Sequence, residues 1–406
     1  MTLADPSQMS QQRAPSAAQA AANASARIRD PRLDFFRGIV MFIILIAHTP
    51  GNWLTLWIPA RFGFSDATEV FVFCSGMASA IAFGAVFRDQ GLLMGAARVA
   101  FRCWQVYWAH IALFFAIAGT MVFLNSTELF ERDYVGQLNL YPFFKRPEEN
   151  LLGLLTLTYV PNYFDILPMY LVVLAMMPLV IACYKTHPLL ALGLVVGVWF
   201  GAQLDYLALP AEPWSAREWF FNPFGWQLVF FTGFAFMSGW LPAPPRNKML
   251  IIVAAVIVLV IVPLAYYRIT RQLPEVQAWR KDYKVLIAKT DFGVLRYVHF
   301  LALAYLCWIA VGEAGRRILP PQAGGALAEF WRRTLAIIMK VGQQSLAVFI
   351  TSMFTARLLG VALDTLGRNS LVNQLVVNAI GFAVLIGVAY GVGWFKSQPW
   401  RRKKPA

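Results

Sequence analysis

The chain has 406 residues, of which 59% are hydrophobic and 14% charged, and its mean hydropathy is +0.57. Soluble domains carry roughly 25% charged residues, so the composition excludes an ordinary soluble protein and points to a polytopic membrane domain. The formal charge of +14 is read as the Lys/Arg bias that keeps cytoplasmic loops inside, and no nucleic-acid partner is expected.

Residues 1–26 are rich in Ala, Gln and Ser and lack the apolar core of a secretory signal. They are expected to form a disordered cytoplasmic tail. Arg27, Arg29 and Arg32 then lead into a membrane domain over residues 27–395, and residues 396–406 form a basic cytoplasmic tail. A helix needs about 20 apolar residues to cross the hydrocarbon core. Spans are expected at 35–58, 67–87, 98–124, 164–184, 188–208, 223–241, 249–267, 293–313, 334–357 and 372–395. The fold class is therefore all-α, with about ten transmembrane helices and both termini on one side. Arg88, Arg98, Arg102, Arg246, Lys248, Arg316, Arg317, Arg332, Arg333 and the tail residues Arg401 to Lys404 all fall on the side of the N-terminus, which is therefore cytoplasmic. The loop 125–150, with Glu128, Glu131, Asp133, Glu148 and Glu149, falls on the other side. The basic stretch 268–291 departs from the pattern, because the count puts it outside. It reads as a solvated loop, with contact to an anionic partner as the alternative, and its Trp279, Tyr283 and Leu286 have the spacing of an interfacial helix.

Ionisable residues inside apolar segments are the first candidates for function. Arg37 and His48 are eleven positions apart in the first span, about 16 Å at 1.5 Å per residue and close to three full turns, so both face nearly the same way. Pro50 and Gly51 follow, and an unwound helix end there needs a cavity or protein partners. Asp66 and Glu69 open the next span after a short link. A carboxylate beside an imidazole fixes its tautomer, and either acid can serve, with Glu69 favoured because Asp66 or Ser65 also suits a helix cap. Arg98 and Arg102 lie one turn apart at the start of the third span. They suit the phosphates of a cytoplasmic donor or act simply as positive anchors, and His110 lies two turns deeper. Asn162 and Asp165 at span four, Trp226 and Gln227 at span six, and Arg296 with His299 at span eight outline a polar, aromatic outer mouth suited to a sugar. Cys74, Cys103, Cys183 and Cys307 sit in apolar segments without ligand spacing, and no metal site is expected.

The run Arg32-Leu33-Asp34-Phe35-Phe36-Arg37-Gly38 with His48 resembles the acyltransferase 3 superfamily, in which the first span carries an arginine, ten residues and a histidine. Glu69 to Gly76 resembles its second-span motif, with Glu where Asp is common. Arg98 and Arg102 resemble its basic pair at a wider spacing. The segments Gly63 to Phe73, Asp165 to Pro168, Asn222 to Gln227 and Gly342 to Phe349 resemble the OpgC branch over residues 27–395.

The resemblance implies an O-acyltransferase of the bacterial inner membrane that passes a succinyl group from cytoplasmic succinyl-CoA to a hydroxyl of osmoregulated periplasmic glucans. No cofactor is permanently bound; succinyl-CoA is the donor substrate. The partners are the glucan, the acyl-CoA and the bilayer, and a homo-oligomer is compatible with the pattern. His48 acts as general base, oriented by Glu69 or Asp66, while Arg37, Arg98 and Arg102 hold the acyl-CoA. A basic residue is expected at the distal carboxylate of the acyl group, with Arg296 and Arg61 as candidates. Two alternatives stand beside this reading. One is an acetyl-specific O-acyltransferase acting on another glycan. The other is a secondary transporter of an anionic metabolite with His48 and Glu69 as proton relay, although no paired internal repeat of the transporter kind is visible.

Overall fold

Asp, Asn and Ser residues at the ends of the apolar runs start many of the helices by accepting hydrogen bonds from first-turn amides, as at Asp30, Asp66, Asn222, Asn247 and Ser370. The computed structural model describes residues 30–127, 130, 132–321 and 324–401. The expected tail 1–26, Arg27, Arg29, Glu128, Glu131 and residues 402–406 lie outside the described residues.

The main helices are α1 (Pro31–His48), α2 (Ala67–Asp89), α3 (Gly91–Ser126), α4 (Ile166–Thr186), α5 (Pro188–Gln203), α6 (Pro223–Met237), α7 (Lys248–Ala265), α8 (Val294–Val311), α9 (Ala326–Gln343), α10 (Ser345–Leu366) and α11 (Leu371–Ser397). Short helices fill the connections 134–156 and 267–287, and no strand is formed among the described residues. Seven of these helices, α2, α3, α4, α7, α8, α10 and α11, are long and apolar enough to cross a membrane. Helices α5 and α6 are apolar but shorter, at 16 and 15 residues. Arg32, Asp34 and Arg37 lower the apolar character of α1.

Two expected spans are corrected. The first, 35–58, is a helix that ends at His48, because Thr49 leaves helical geometry and its hydroxyl and amide both bond back to Leu45 O. The chain then turns through Gly51 at φ 78° into a short 3-10 turn, Trp53–Leu56, capped by Asn52. The ninth, 334–357, is broken at Gln344, which joins α9 to α10. Polar side chains mark that joint: Gln344 accepts a hydrogen bond from Lys396 and Ser345 one from Arg37. Helix α9 carries Glu329, Arg332, Arg333 and Lys340 and is too polar to serve as a lipid-facing span.

Glycines let the central helices touch backbone to backbone. A Cβ on Gly38 of α1 would collide with Ile338 O of α9, and one on Gly342 of α9 with Asp34 O of α1. The same reciprocity joins α2 and α6, through Gly76 against Phe230 O and Gly233 against Phe73 O. Small residues at such crossings are how membrane helices gain close packing without a hydrophobic driving force. Helices α1 and α10 run the same way, since Arg37 meets Ser345 at one end and Pro50 meets Gly360 at the other. A buried amide cluster closes that second end: Asn52 donates to Asn378 at 2.8 Å, and Gln374 donates to Gly51 O at 2.9 Å.

Candidate active site

His48 is the last residue of α1, and its Nδ1–H donates to Ile44 O at 2.8 Å, one turn back. With Nδ1 so committed, the neutral imidazole carries its lone pair on Nε2. The ring lines a cavity of about 640 Å³. Its walls are the end of α1 from Ile43, the link residues Ile58, Ala60 and Arg61, and Asp66, Ala67, Thr68 and Phe71 at the start of α2. Asn162, Tyr163, Asp165, Ile166, Phe220, Phe221 and Lys289 close the cavity with Phe349 and Met353 of α10. It thus combines an apolar floor with a few polar groups, the usual make-up of a small-molecule site.

The expected acid partners of His48 have other hydrogen-bond partners. Neither Asp66 nor Glu69 hydrogen-bonds the imidazole; both are engaged with each other's backbone and with cations. Asp66 caps α2 by accepting from Thr68 N at 2.6 Å, and Glu69 Oε2 accepts from Asp66 N at 2.7 Å, a complete capping box. The remaining oxygens take one cation each: Lys289 Nζ lies 2.5 Å from Asp66 Oδ2, and Arg296 Nη1 2.6 Å from Glu69 Oε1. The backbone carbonyl of Ile44 does the orienting that a carboxylate was expected to do.

Of the expected acceptor or acyl-pocket residues, Asn162 and Asp165 line the cavity. Asp165 Oδ1 accepts from Phe220 N at 3.2 Å, and Asn162 accepts from Arg217, which also bridges to Val160 O and Glu212. Burial alone would raise the Glu212 carboxyl, but hydrogen bonds from Ser215, Arg217 and Asn139 hold it below its ordinary range. Trp226, Gln227, Arg296 and His299 stand behind the walls. Trp226 Nε1 donates to Lys289 O, and Gln227 Nε2 to Val195 O and Phe224 O. His299 Nδ1 meets the amide and hydroxyl of Ser65, with Gly63 packed against the ring. Arg296 is held by Glu69, so of the two cations considered for a distal carboxylate, Arg61 is the one that lines the cavity; its Nε donates to Thr55 O.

The three expected donor arginines are not gathered at this cavity. Arg37 bonds Ser345 at the α9–α10 joint, Arg102 donates to Gln105 at 3.1 Å, and Arg98 is exposed. His110 is fully buried, and neither ring nitrogen has a hydrogen-bond partner among the described residues.

Two cavity groups, Lys289 and Tyr163, and the cation behind Tyr163 were not singled out from the sequence. Lys289 was read as part of a solvated basic stretch. Tyr163, at φ 86°, lies edge-on to His48 with ring centroids 5.4 Å apart and donates to Met353 O at 2.7 Å. The Arg357 guanidinium stacks 3.7 Å from the Tyr163 ring centre. An arginine in the middle of the apolar run of α10 was a visible signal; the left-handed Tyr163 was not. No group of metal-ligating residues is found among the described residues.

The family model for OpgC protein matches residues 29–397. The chain belongs to the OpgC family. No curated protein and no solved structure matches it. The matched region takes in every cavity residue, the α9–α10 joint and the glycine crossings, and membership in the OpgC family makes this helical membrane protein an acyltransferase of the OpgC type with a glucan as its acceptor class.

Proposed function

We propose that this member of the OpgC family transfers a succinyl group from succinyl-CoA, entering from the cytoplasm, to a hydroxyl of an osmoregulated periplasmic glucan at the bacterial inner membrane, with His48 as general base. The observation that carries this reading is the His48 ring itself: its Nδ1 is committed to Ile44 O, and it lines a cavity of about 640 Å³ between seven segments of the chain. Nε2 accepts the proton of the sugar hydroxyl as that oxygen attacks the thioester carbon, and the resulting imidazolium returns it to the departing thiolate. General-base catalysis of this kind contributes about 10²–10⁴-fold.

Arg37, at the end of α1 remote from His48, is assigned to phosphate groups of the donor, with Arg98 and Arg102 as further cations for the same groups. Arg61 meets the distal carboxylate of the acyl group. Asn162 and Asp165 line the same cavity and are assigned to the acceptor hydroxyls. Glu69, Asp66, Arg296, Trp226, Gln227 and His299 serve by holding the walls.

The test is acyl transfer by the purified protein in detergent with succinyl-CoA and a β-glucan. Wild type is expected to put ester on the sugar, and His48→Ala, folded as judged by its thermal unfolding, is expected to lose at least about 10²-fold. Transfer within tenfold of wild type in the variant would remove His48 as base. A wild type that forms no ester from succinyl- or acetyl-CoA would favour the transporter alternative and call for a flux assay.

A further inference from the structure

Lys289 is delivered into the cavity by a non-helical segment that is held through its backbone. Trp226 Nε1 donates to Lys289 O at 2.9 Å, Asn222 N to Thr290 O at 3.0 Å, Gln203 Nε2 to Asp291 O, and Trp199 Nε1 to Phe292 O at 3.0 Å. Four consecutive carbonyls are therefore taken by donors from α5 and from the start of α6. Asn222 also donates to the Asp291 carboxylate at 2.9 Å, and Gly225 lies so close that a Cβ would meet Asp291 O. Phe292 sits buried at φ 59°, a left-handed conformation unusual for a bulky residue. A solvated loop satisfies its carbonyls with water, so this scaffold has the character of a mount.

What the mount carries is a single cation. Lys289 Nζ has three donors, and one is spent on Asp66 at 2.5 Å. The other two have no hydrogen-bond acceptor among the described residues, while the side chain shares the cavity with His48. Stability alone does not require the lysine, because a carboxylate capping a helix is already stabilised by the first-turn amides and the helix dipole, and buried ion pairs are poor sources of net stability.

We propose that Lys289 is a catalytic residue of the transfer step, supplying the hydrogen-bond donors that meet the negative charge developing on the thioester carbonyl oxygen. The proposal rests on the acyltransferase reading above. As the sugar oxygen forms its bond to the carbonyl carbon, His48 takes the hydroxyl proton and the carbonyl π pair moves onto oxygen, where Lys289 donates to it. The pair then returns, the carbon–sulfur bond breaks, and the thiolate leaves with the proton from His48. Asp66 keeps Nζ aimed, so the donors need no reorientation when the charge appears, the condition under which such stabilisation is largest.

The experiment compares wild type, Lys289→Met and the double variant Asp66→Asn/Lys289→Met with succinyl-CoA and a β-glucan. Donor affinity is measured separately by calorimetry in a His48→Ala background. Lys289→Met is expected to lower kcat on the order of 10²–10³-fold, with the succinyl-CoA Kd unchanged within about threefold. The double variant, which leaves no unpaired carboxylate, should be just as slow. A donor Kd weakened in step with the loss would make Lys289 a binder of the acyl carboxylate and overturn the proposal. So would recovery of turnover in the double variant, because the defect would then come from the stranded Asp66. A wild type without any transfer defeats the acyltransferase reading itself; a wild type that works beside a Lys289→Met variant that works equally defeats only this inference.

Discussion

Glu69 is fully buried, and each of its oxygens has one strong partner: Asp66 N for Oε2 and Arg296 Nη1 for Oε1. Arg296 is itself only 9% exposed, so removing the guanidinium leaves a buried carboxylate without its ion-pair partner. Breaking a buried pair by deleting one partner costs about 3–5 kcal/mol, whereas replacing both partners is much milder. Arg296→Met should therefore lower the unfolding free energy in detergent by about that amount, and Glu69→Gln/Arg296→Met should recover most of it. A stable Arg296→Met variant with a selectively weakened succinyl donor would instead return Arg296 to the donor pocket. Residue chemistry was legible at this scale wherever a charge interrupted an apolar run, as at Arg37, His48, Asp66 and Glu69. The partners were not, because spacing places Asp66 and Glu69 near the histidine without saying that Lys289 and Arg296 arrive from more than 220 positions away. Nor can it show that a backbone carbonyl holds the ring.

The glycine crossings decide how closely α1 approaches α9. Gly342 abuts Asp34 O and Gly38 abuts Ile338 O, backbone against backbone, so an added methyl has no flexible neighbour to displace. Overpacking of this kind costs typically about 1–3 kcal/mol. Gly342→Ala is expected to lower the apparent unfolding temperature in detergent and, through the neighbouring Ser345 contact of Arg37, to weaken the donor. Gly119→Ala, where a Cβ meets nothing within 4 Å, is the matched control and should be neutral or slightly stabilising, since alanine favours helix. Equal effects at the two positions would remove the crossing as their cause. Hydropathy located the helices well because each apolar run had to find an apolar surrounding. It passed over the Gln344 joint because one non-helical residue between two helices barely alters an averaged window. It extended the first span past His48 because Trp53 to Ile58 is apolar yet lies in a 3-10 turn and the link that follows it.

The contacts of the basic stretch 268–291 bear on how the whole chain is threaded through the bilayer. Its charge argues for the cytoplasmic side, while the ten crossings expected from the sequence would put it on the side opposite the termini. Tyr266, at the head of the stretch, stacks on Phe62 with ring centroids 5.4 Å apart, Arg280 lies over the Phe64 ring, and Lys289 pairs with Asp66. Phe62, Phe64 and Asp66 all belong to the link between α1 and α2, so both segments occupy the same end of the bundle. The α9–α10 joint, tied to Arg37 and Lys396, marks the opposite end. The stretch is anchored at its end of the bundle through Lys289 and the donors that hold its backbone, so packing and not charge decides which side it takes. Single cysteines placed in a background lacking Cys74, Cys103, Cys183 and Cys307 read this directly with a membrane-impermeant maleimide. Trp57→Cys and Lys281→Cys, both at exposed positions, are expected to label in cells whose outer membrane is permeable but whose inner membrane is intact. Arg246→Cys and Arg316→Cys, also exposed, should label only after the inner membrane is opened. Because the packing ties residues 57 and 281 to one end, they must behave alike whichever side that is. If both label only after opening, the chain is inverted and a cytoplasmic donor would have to reach His48 from the Arg61 side; if they split, the contacts between the two segments do not form in the membrane, and the cavity they enclose fails with them.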